Sequence, residues 1–285
     1  MMPAMYAAVS GLEAHQTMLN VVANNLANVD TIGYKAERTT FVDELSETLN
    51  AGSGATASNG GTNPEQVGLG VRVGSIDTEM EAGSIETTAN PLDVAIQGDG
   101  FISVGSGTPP ASPGPYTSGL PTALEYTRAG NLTTNALGFL TTPSGQYVMG
   151  STAPGAGAPN TYINIPPGST NVSIGQNGAV SYTNPTTQTT TTAGYITLAT
   201  FSNEAGLTRA GGSLWTSSAN SGAASYGTPA TANFGQTIAG SLEMSNVDMA
   251  TEFTNMIQAE SGYDANSRVI TTGNNMIQSL LQIGQ

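Results

Sequence analysis

The chain has 285 residues, enough for two or three small domains, and its 38% hydrophobic content is enough to bury a core. Charged residues make up only 9%, against about 25% in ordinary soluble domains, and the net charge is −14 with six cations: Lys35, Arg38, Arg72, Arg128, Arg209 and Arg268. That balance excludes a basic nucleic-acid face and works against binding to anionic membranes, and the absence of cysteine excludes a disulfide framework, a thiolate nucleophile and Cys-ligated metals.

With so few charges, the polar surface is built from Ser, Thr, Asn, Gln and Gly. Such a surface loses little when it packs against copies of itself, because few ions must be desolvated. The start of the chain lacks the basic, apolar and small-residue blocks of a secretory signal peptide. No apolar run reaches the ~20 residues that span a bilayer, so membrane insertion is not expected.

From Met5 to Val29 the apolar residues fall at Met5, Val9, Leu12, Leu19, Val22, Leu26 and Val29, in steps of three, four and seven. This spacing predicts a helix with a narrow apolar stripe, of the kind that lines a coiled-coil seam. Gly11 interrupts it at a cost of about 1 kcal/mol relative to Ala, and the helix should stop near Asp30, ahead of the breaker Gly33. Asn50–Thr62 is Gly, Ser, Ala and Thr with almost no apolar content and reads as a mobile connector.

The middle, about Val67 to Leu242, reads as β. Short alternating runs such as Val71–Ile76, Leu92–Ile96, Phe101–Val104 and Tyr195–Phe201 lie between turn residues, and Asn177-Gly178 between Val172–Ile174 and Val180–Tyr182 marks a hairpin. The threonine tract Gln188–Ala193 and the Pro/Gly-rich Thr108–Pro121 read as surface loops.

At the far end Met249, Met256, Tyr263, Ile270 and Ile277 are spaced by seven, with Phe253 and Leu281 at the accompanying positions. Ser245–Asp248 reads as an N-cap followed three residues on by a carboxylate. A helix from Val247 to Leu281 would be about 50 Å long. Gly262 and Gly273 weaken it in this reading. Two helices paired with each other cover only one side of each, so apolar surface is left over, and the ends find their full partners in an assembly.

Residues able to do chemistry are sparse. His15 is the single histidine, so a catalytic triad or a multi-His metal site cannot form, and it reads as a packing or surface residue. Asp93 and Asp99 are the nearest carboxylate pair, but Asp99 between two glycines reads as a turn residue. The glycine-rich pieces lack the Lys-Ser/Thr of a phosphate loop. No cofactor, metal or catalytic residue is expected, and the chain reads as a non-enzyme.

The segment Val21 to Lys35 (VVANNLANVDTIGYK) closely resembles the long and specific signature of the bacterial flagellar rod and hook proteins, carried by Asn24, Asn25, Asn28, Thr31, Gly33, Tyr34 and Lys35. Ser241–Asp248 and Asn255–Gln258 resemble the matching carboxyl-terminal signature. Leu92–Phe101 and Tyr126–Asn131 resemble the family's internal segments, so the likeness covers essentially the whole chain. Glu260-Ser261-Gly262-Tyr263 departs from it: the family's basic residue is lost there and an acid is gained.

The resemblance implies an α+β fold: a discontinuous helical coiled-coil domain from residues 1–31 and 243–285, a connector at 32–70, and a central, mainly β domain at 71–242. It implies a subunit exported through the flagellar type III apparatus, without a cleaved signal, that polymerises with itself into a hollow tube. The interface would use Met5, Val9, Leu12, Leu19, Val22, Asn24, Asn25, Leu26 and Val29 on one helix. On the other it would use Met249, Phe253, Met256, Tyr263, Ile270, Ile277 and Leu281. Details such as Gly60–Gly70 and Arg268–Thr272 look most like a short hook protein, a curved universal joint between rod and filament. Its partners would then be rod, hook-cap and hook–filament junction proteins. The distal rod protein, a rigid drive shaft of the same length and layout, is the alternative, and an extracellular β-rich adhesin or glycoside hydrolase is a third reading from another class.

Overall fold

The computed structural model describes residues 2–55, 60–109, 120–121, 123–155, 157–231 and 233–283. The chain is α+β, with helices at both ends and antiparallel strands between them. It divides into two compact units, each woven from separate stretches of sequence.

The first unit comprises Met1–Ala27, Glu37–Glu79 and Asp248–Gln285. Its helices are α1 (Met2–Ala27) and α2 (Met249–Ile283). They run antiparallel: Met5 lies beside Gly273, Gly11 beside Asn266 and His15 beside Gly262, and Asn25 bonds to Glu252. α1 ends at Ala27, just short of the expected Asp30.

The helix N-cap lies three residues further on than the sequence suggested. Asp248, rather than Ser245, accepts from the Ala250 N–H at 2.9 Å and from the Thr251 hydroxyl at 3.1 Å. Those bonds, the backbone one foremost, hold the Asp248 carboxyl below the ordinary carboxylate range.

The seam between the helices is made of small residues. Ala8, Ala14 and Ala259 are buried, and Gly262 and Gly273 face His15 and Met5. The glycines taken as helix-weakening residues therefore have a packing role. Their missing side chains let two helices approach where leucines would hold them apart, and this offsets the propensity cost.

The stretch taken as a connector is largely strand. β1 (Glu37–Asp43) pairs with β4 (Val71–Thr78), and β2 (Ser46–Asn50) pairs with β3 (Glu65–Gly68). Glu44 and Leu69 donate to Gly70 and Leu45 to join the two ladders, and Ser53 and Thr62 bridge beyond them, so the whole is one long two-stranded ribbon. Residues 56–59 of the expected connector lie outside the described ones.

The base of the ribbon packs on α1. The Ser10 hydroxyl accepts from the Val71 N–H at 3.2 Å, and the His15 ring meets Phe41 at 5.9 Å between centroids. Further out, both β2 and β3 are exposed throughout. Composition hid the ribbon because its tip has no buried face to impose an alternating pattern.

The second unit comprises Asn28–Ala36 and Met80–Val247. Among the described residues its main sheet has thirteen strands, all antiparallel, centred on Phe101–Gly105 and Tyr147–Ser151. Val94, Ile96, Ile102, Val104, Leu132, Leu140, Val148, Ile163, Ile196 and Leu198 form its core, each at most 1% exposed. A second cluster gathers Phe101, Tyr126, Phe201 and Trp215, with the Tyr126 and Phe201 rings edge to face.

The hairpin read at Asn177-Gly178 is present: Ile174 pairs with Val180, and Gly178 takes a φ of +75° that a side chain would strain. The threonine tract is a correction. Thr190–Ile196 is a strand paired with Ala179–Thr183, because β-branched Thr suits a pleated surface even when it is exposed. Of the Pro/Gly-rich stretch, residues 110–119 lie outside the described ones.

Candidate functional site

Two groups of residues stand out, one in each unit. In the helical unit the apolar stripes divide between the seam and the surface. Val22 and Asn25 are buried, while Met5, Leu12, Leu19, Leu26, Met256, Ile270 and Ile277 are half-buried. Val9, Asn24, Met249, Phe253, Tyr263 and Leu281 are exposed, and so are Ile257, Val269, Met276, Leu280 and Ile283, which heptad spacing did not select.

The register of the pair carries the last turns of α2 beyond the start of α1, and there Leu281 is 67% and Ile283 81% exposed. A shallow apolar surface of Thr272, Met276, Leu280 and Ile283 runs from the last paired turn onto this overhang. One signal could have separated the two faces: the small residues Ala259, Gly262 and Gly273 fall on the face toward α1 and leave the large ones outside.

Asn25 ties this unit together. Its amide donates to the Glu37 carbonyl at 2.8 Å and to Glu252 Oε1 at 3.1 Å, and its carbonyl oxygen accepts from the Glu37 N–H at 3.0 Å. One family-signature asparagine thus holds the first residue of β1 and the first turn of α2. Burial raises the Glu252 carboxyl above the ordinary range, opposed by the bonds from Asn25 and Asn255.

From Asn28 onward the signature folds into the β unit. Thr31 donates to Asn28 at 3.1 Å, which closes the turn after α1. Val29 is half-buried in that turn. Gly33, with φ +66°, donates its N–H to the Glu243 carbonyl at 2.8 Å, and an added Cβ would fall 2.8 Å from the Ala129 nitrogen.

Tyr34 is buried beneath the Arg209 guanidinium, which lies 4.7 Å from its ring and 5.0 Å from that of Trp215. Lys35 is fully buried: its Nζ lies 2.6 Å from Glu243 Oε1 and donates to the Glu81 carbonyl at 2.7 Å. Arg128 reaches Glu243 Oε2 at 3.3 Å and the Gly98 carbonyl at 3.0 Å. The Gly83 N–H adds a further bond to Glu243 Oε1 at 3.1 Å.

Burial lowers the Lys35 ammonium from its ordinary range, against the opposing pull of Glu243. It also raises the Glu204 carboxyl, against the opposing pull of Arg128. Sequence reasoning gave Glu243, Arg128 and Arg209 no role. The signal available was scarcity: with six cations in the chain, those that recur in motifs are the ones to pair.

The carboxylates weighed for catalysis have structural partners. Asp93 accepts from the Thr88 hydroxyl at 2.7 Å and the Asn90 amide at 2.8 Å, and Asp99 sits in the turn between Gly98 and Gly100. A groove of about 490 Å³ lies beside the 30–32 turn, lined by both polar and apolar residues, among them Thr31, Ile32, Asn131, Pro143, Ser213 and Leu214. Among the described residues no three His, Asp or Glu are grouped so as to hold a metal, and no helix is long and apolar enough to cross a membrane.

Helices from both chain ends joined in one pair, and a β unit built from two separate stretches of sequence, define a discontinuous α+β fold. Three family models match the chain: "Flagella basal body rod protein" over residues 5–35, "Flagellar hook protein FlgE/F/G D1 domain" over 95–182, and "Flagellar basal body rod FlgEFG protein C-terminal" over 238–283. The chain is 38% identical to the flagellar basal-body rod protein FlgG of Bacillus subtilis over 99% of both chains, and 36% identical to that of Caulobacter vibrioides, again over 99% of each. It is also 39% identical to the flagellar hook protein FlgE of Borreliella burgdorferi, over 53% of this chain and 31% of that one. The chain belongs to the bacterial flagellar rod and hook protein family and is a structural subunit of that kind.

Proposed function

We propose that this chain is the distal rod subunit of the bacterial flagellum, a non-enzymatic building block of a straight, stiff hollow shaft. This replaces the hook reading of the sequence. The observation that carries it is end-to-end likeness: the rod proteins match over 99% of both chains, whereas the hook protein matches over 31% of its own length.

In this reading the exposed faces of α2 and α1, with Met249, Phe253, Tyr263, Leu281 and Val9, pack against neighbouring copies and form the inner tube. The buried Val22 and the half-buried Met5, Leu12, Leu19, Leu26, Met256 and Ile270 order the pair, and Ile277, half-buried near the start of the overhang, is left for a neighbour to cover. The ribbon, with Leu45, Leu49 and Val67 exposed, gives neighbours a further surface to cover and so adds stiffness. The chain's partners are copies of itself, adjoining rod and hook subunits and the type III export apparatus, and its place is the flagellar basal body.

Electron microscopy of tubes assembled from the purified chain tests the reading. Straight, stiff tubes are expected, and smoothly curved, flexible ones would return the chain to the hook.

A further inference from the structure

The β unit is built from two stretches of chain, 28–36 and 80–247, and therefore has four ends. Three of them meet at one carboxylate. Glu243 takes Lys35 from the first stretch and the Gly83 N–H from the start of the second, and it lies four residues before the second stretch ends. Asn246 repeats the pattern three residues on: its carbonyl oxygen accepts from the Ala36 N–H at 2.8 Å and its amide donates to the Glu81 carbonyl at 3.2 Å.

Arg128 and Arg209 join this cluster to the sheet, Arg128 by Glu243 and the Gly98 carbonyl and Arg209 by a 2.5 Å bond to the Lys35 carbonyl beneath its stacking on Trp215. Lys35 and Glu243 have fully buried side chains and that of Arg128 is 2% exposed, so two of the six cations in a chain of net charge −14 are placed where they cannot serve solubility.

An apolar cluster would fill the same space at a lower desolvation cost, so the ions are not explained by stability alone. What they add is conditionality. Glu243 cannot stay buried and charged without cations that come from elsewhere in the sequence, and Lys35 cannot stay buried without Glu243.

We propose that the Lys35–Glu243–Arg128 cluster is a staple that fastens the segments 33–36, 81–84 and 241–246 to the β unit as a single cooperative element, so that none of the three detaches alone. Ala36 runs on into β1, Met80 follows β4 and Val247 precedes α2. Tension carried along any of those chains therefore reaches the same buried carboxylate and is shared with the sheet through Arg128.

Hydrogen exchange on the full-length soluble chain tests this independently of whether the protein builds rod or hook. Glu243→Gln should speed amide exchange in all three segments together by about a hundredfold or more, the scale set by leaving buried charge unpaired. Phe101–Gly105 and Tyr147–Ser151 should stay protected. Adding Lys35→Met to Glu243→Gln should restore part of the protection, because the orphaned ammonium is gone while the Arg128 guanidinium keeps the Gly98 carbonyl. Acceleration confined to 241–246, or a double variant as open as the single one, would overturn the proposal. If Glu243→Gln leaves the chain unfolded, the emission of Trp215, the chain's single tryptophan, decides: native emission in the double variant supports the staple, and unfolded emission there overturns it.

Discussion

Gly262 on α2 stands against the His15 ring of α1 so closely that a Cβ on it would fall 2.5 Å from both Cε1 and Nε2. The relationship is local and steric: the ring occupies the volume a side chain would need, and it is itself flanked by Phe41. Gly262→Ala should therefore destabilise the helix pair by about 1–3 kcal/mol, the scale of overpacking, although alanine is the better helix former. Thermal unfolding followed by helical circular dichroism checks this. A more stable variant would mean that propensity outweighs packing at this seam.

Glu252 gives a prediction about pH. Burial raises its carboxyl in the fold, so the folded chain holds that proton more tightly than the unfolded one does. Its contribution is fully present below the ordinary carboxylate range and is lost as pH rises through the folded value. Glu252→Gln removes the buried charge and keeps an oxygen for the Asn25 amide. The variant should melt higher than the parent at pH 7, and the gap should close as pH falls below 4. A gap that widens on acidification would contradict the assignment.

Ile277 is half-buried near the start of the α2 overhang. In the tube it would be covered by neighbouring copies. Ile277→Asp should abolish polymerisation, because assembly would then bury an unpaired charge, while the β unit keeps its native Trp215 emission. Sedimentation and negative-stain microscopy provide the readout, and tubes at the parent's yield would remove α2 from the interface.

The helices were legible because repeated apolar spacing is a local property: α1 and α2 begin and end within a few residues of where Met5–Val29 and Met249–Leu281 put them. The turn at Asn177-Gly178 was legible for the same reason. The ribbon was not, since Glu37–Asp43 finds its partner some thirty residues on and neither strand of its tip has a face to bury. Nor was the Lys35–Glu243 pair, separated by 208 residues, because charge pairing carries no period. The glycines at the seam misled for a physical reason. A missing side chain reads as lost propensity until a partner helix fills the gap.

Hiding Lys35 and Arg128 inside the β unit leaves the outside of an already acidic molecule with still less positive charge to set against its carboxylates. In the proposed tube, two copies approaching in dilute buffer would meet mostly like sign, and water released from greasy helix faces would draw them together. Dissolved ions shorten the reach of the repulsion and leave that attraction intact. A molecule arranged this way should stay apart from its own kind in dilute, low-salt buffer and join more readily as salt rises.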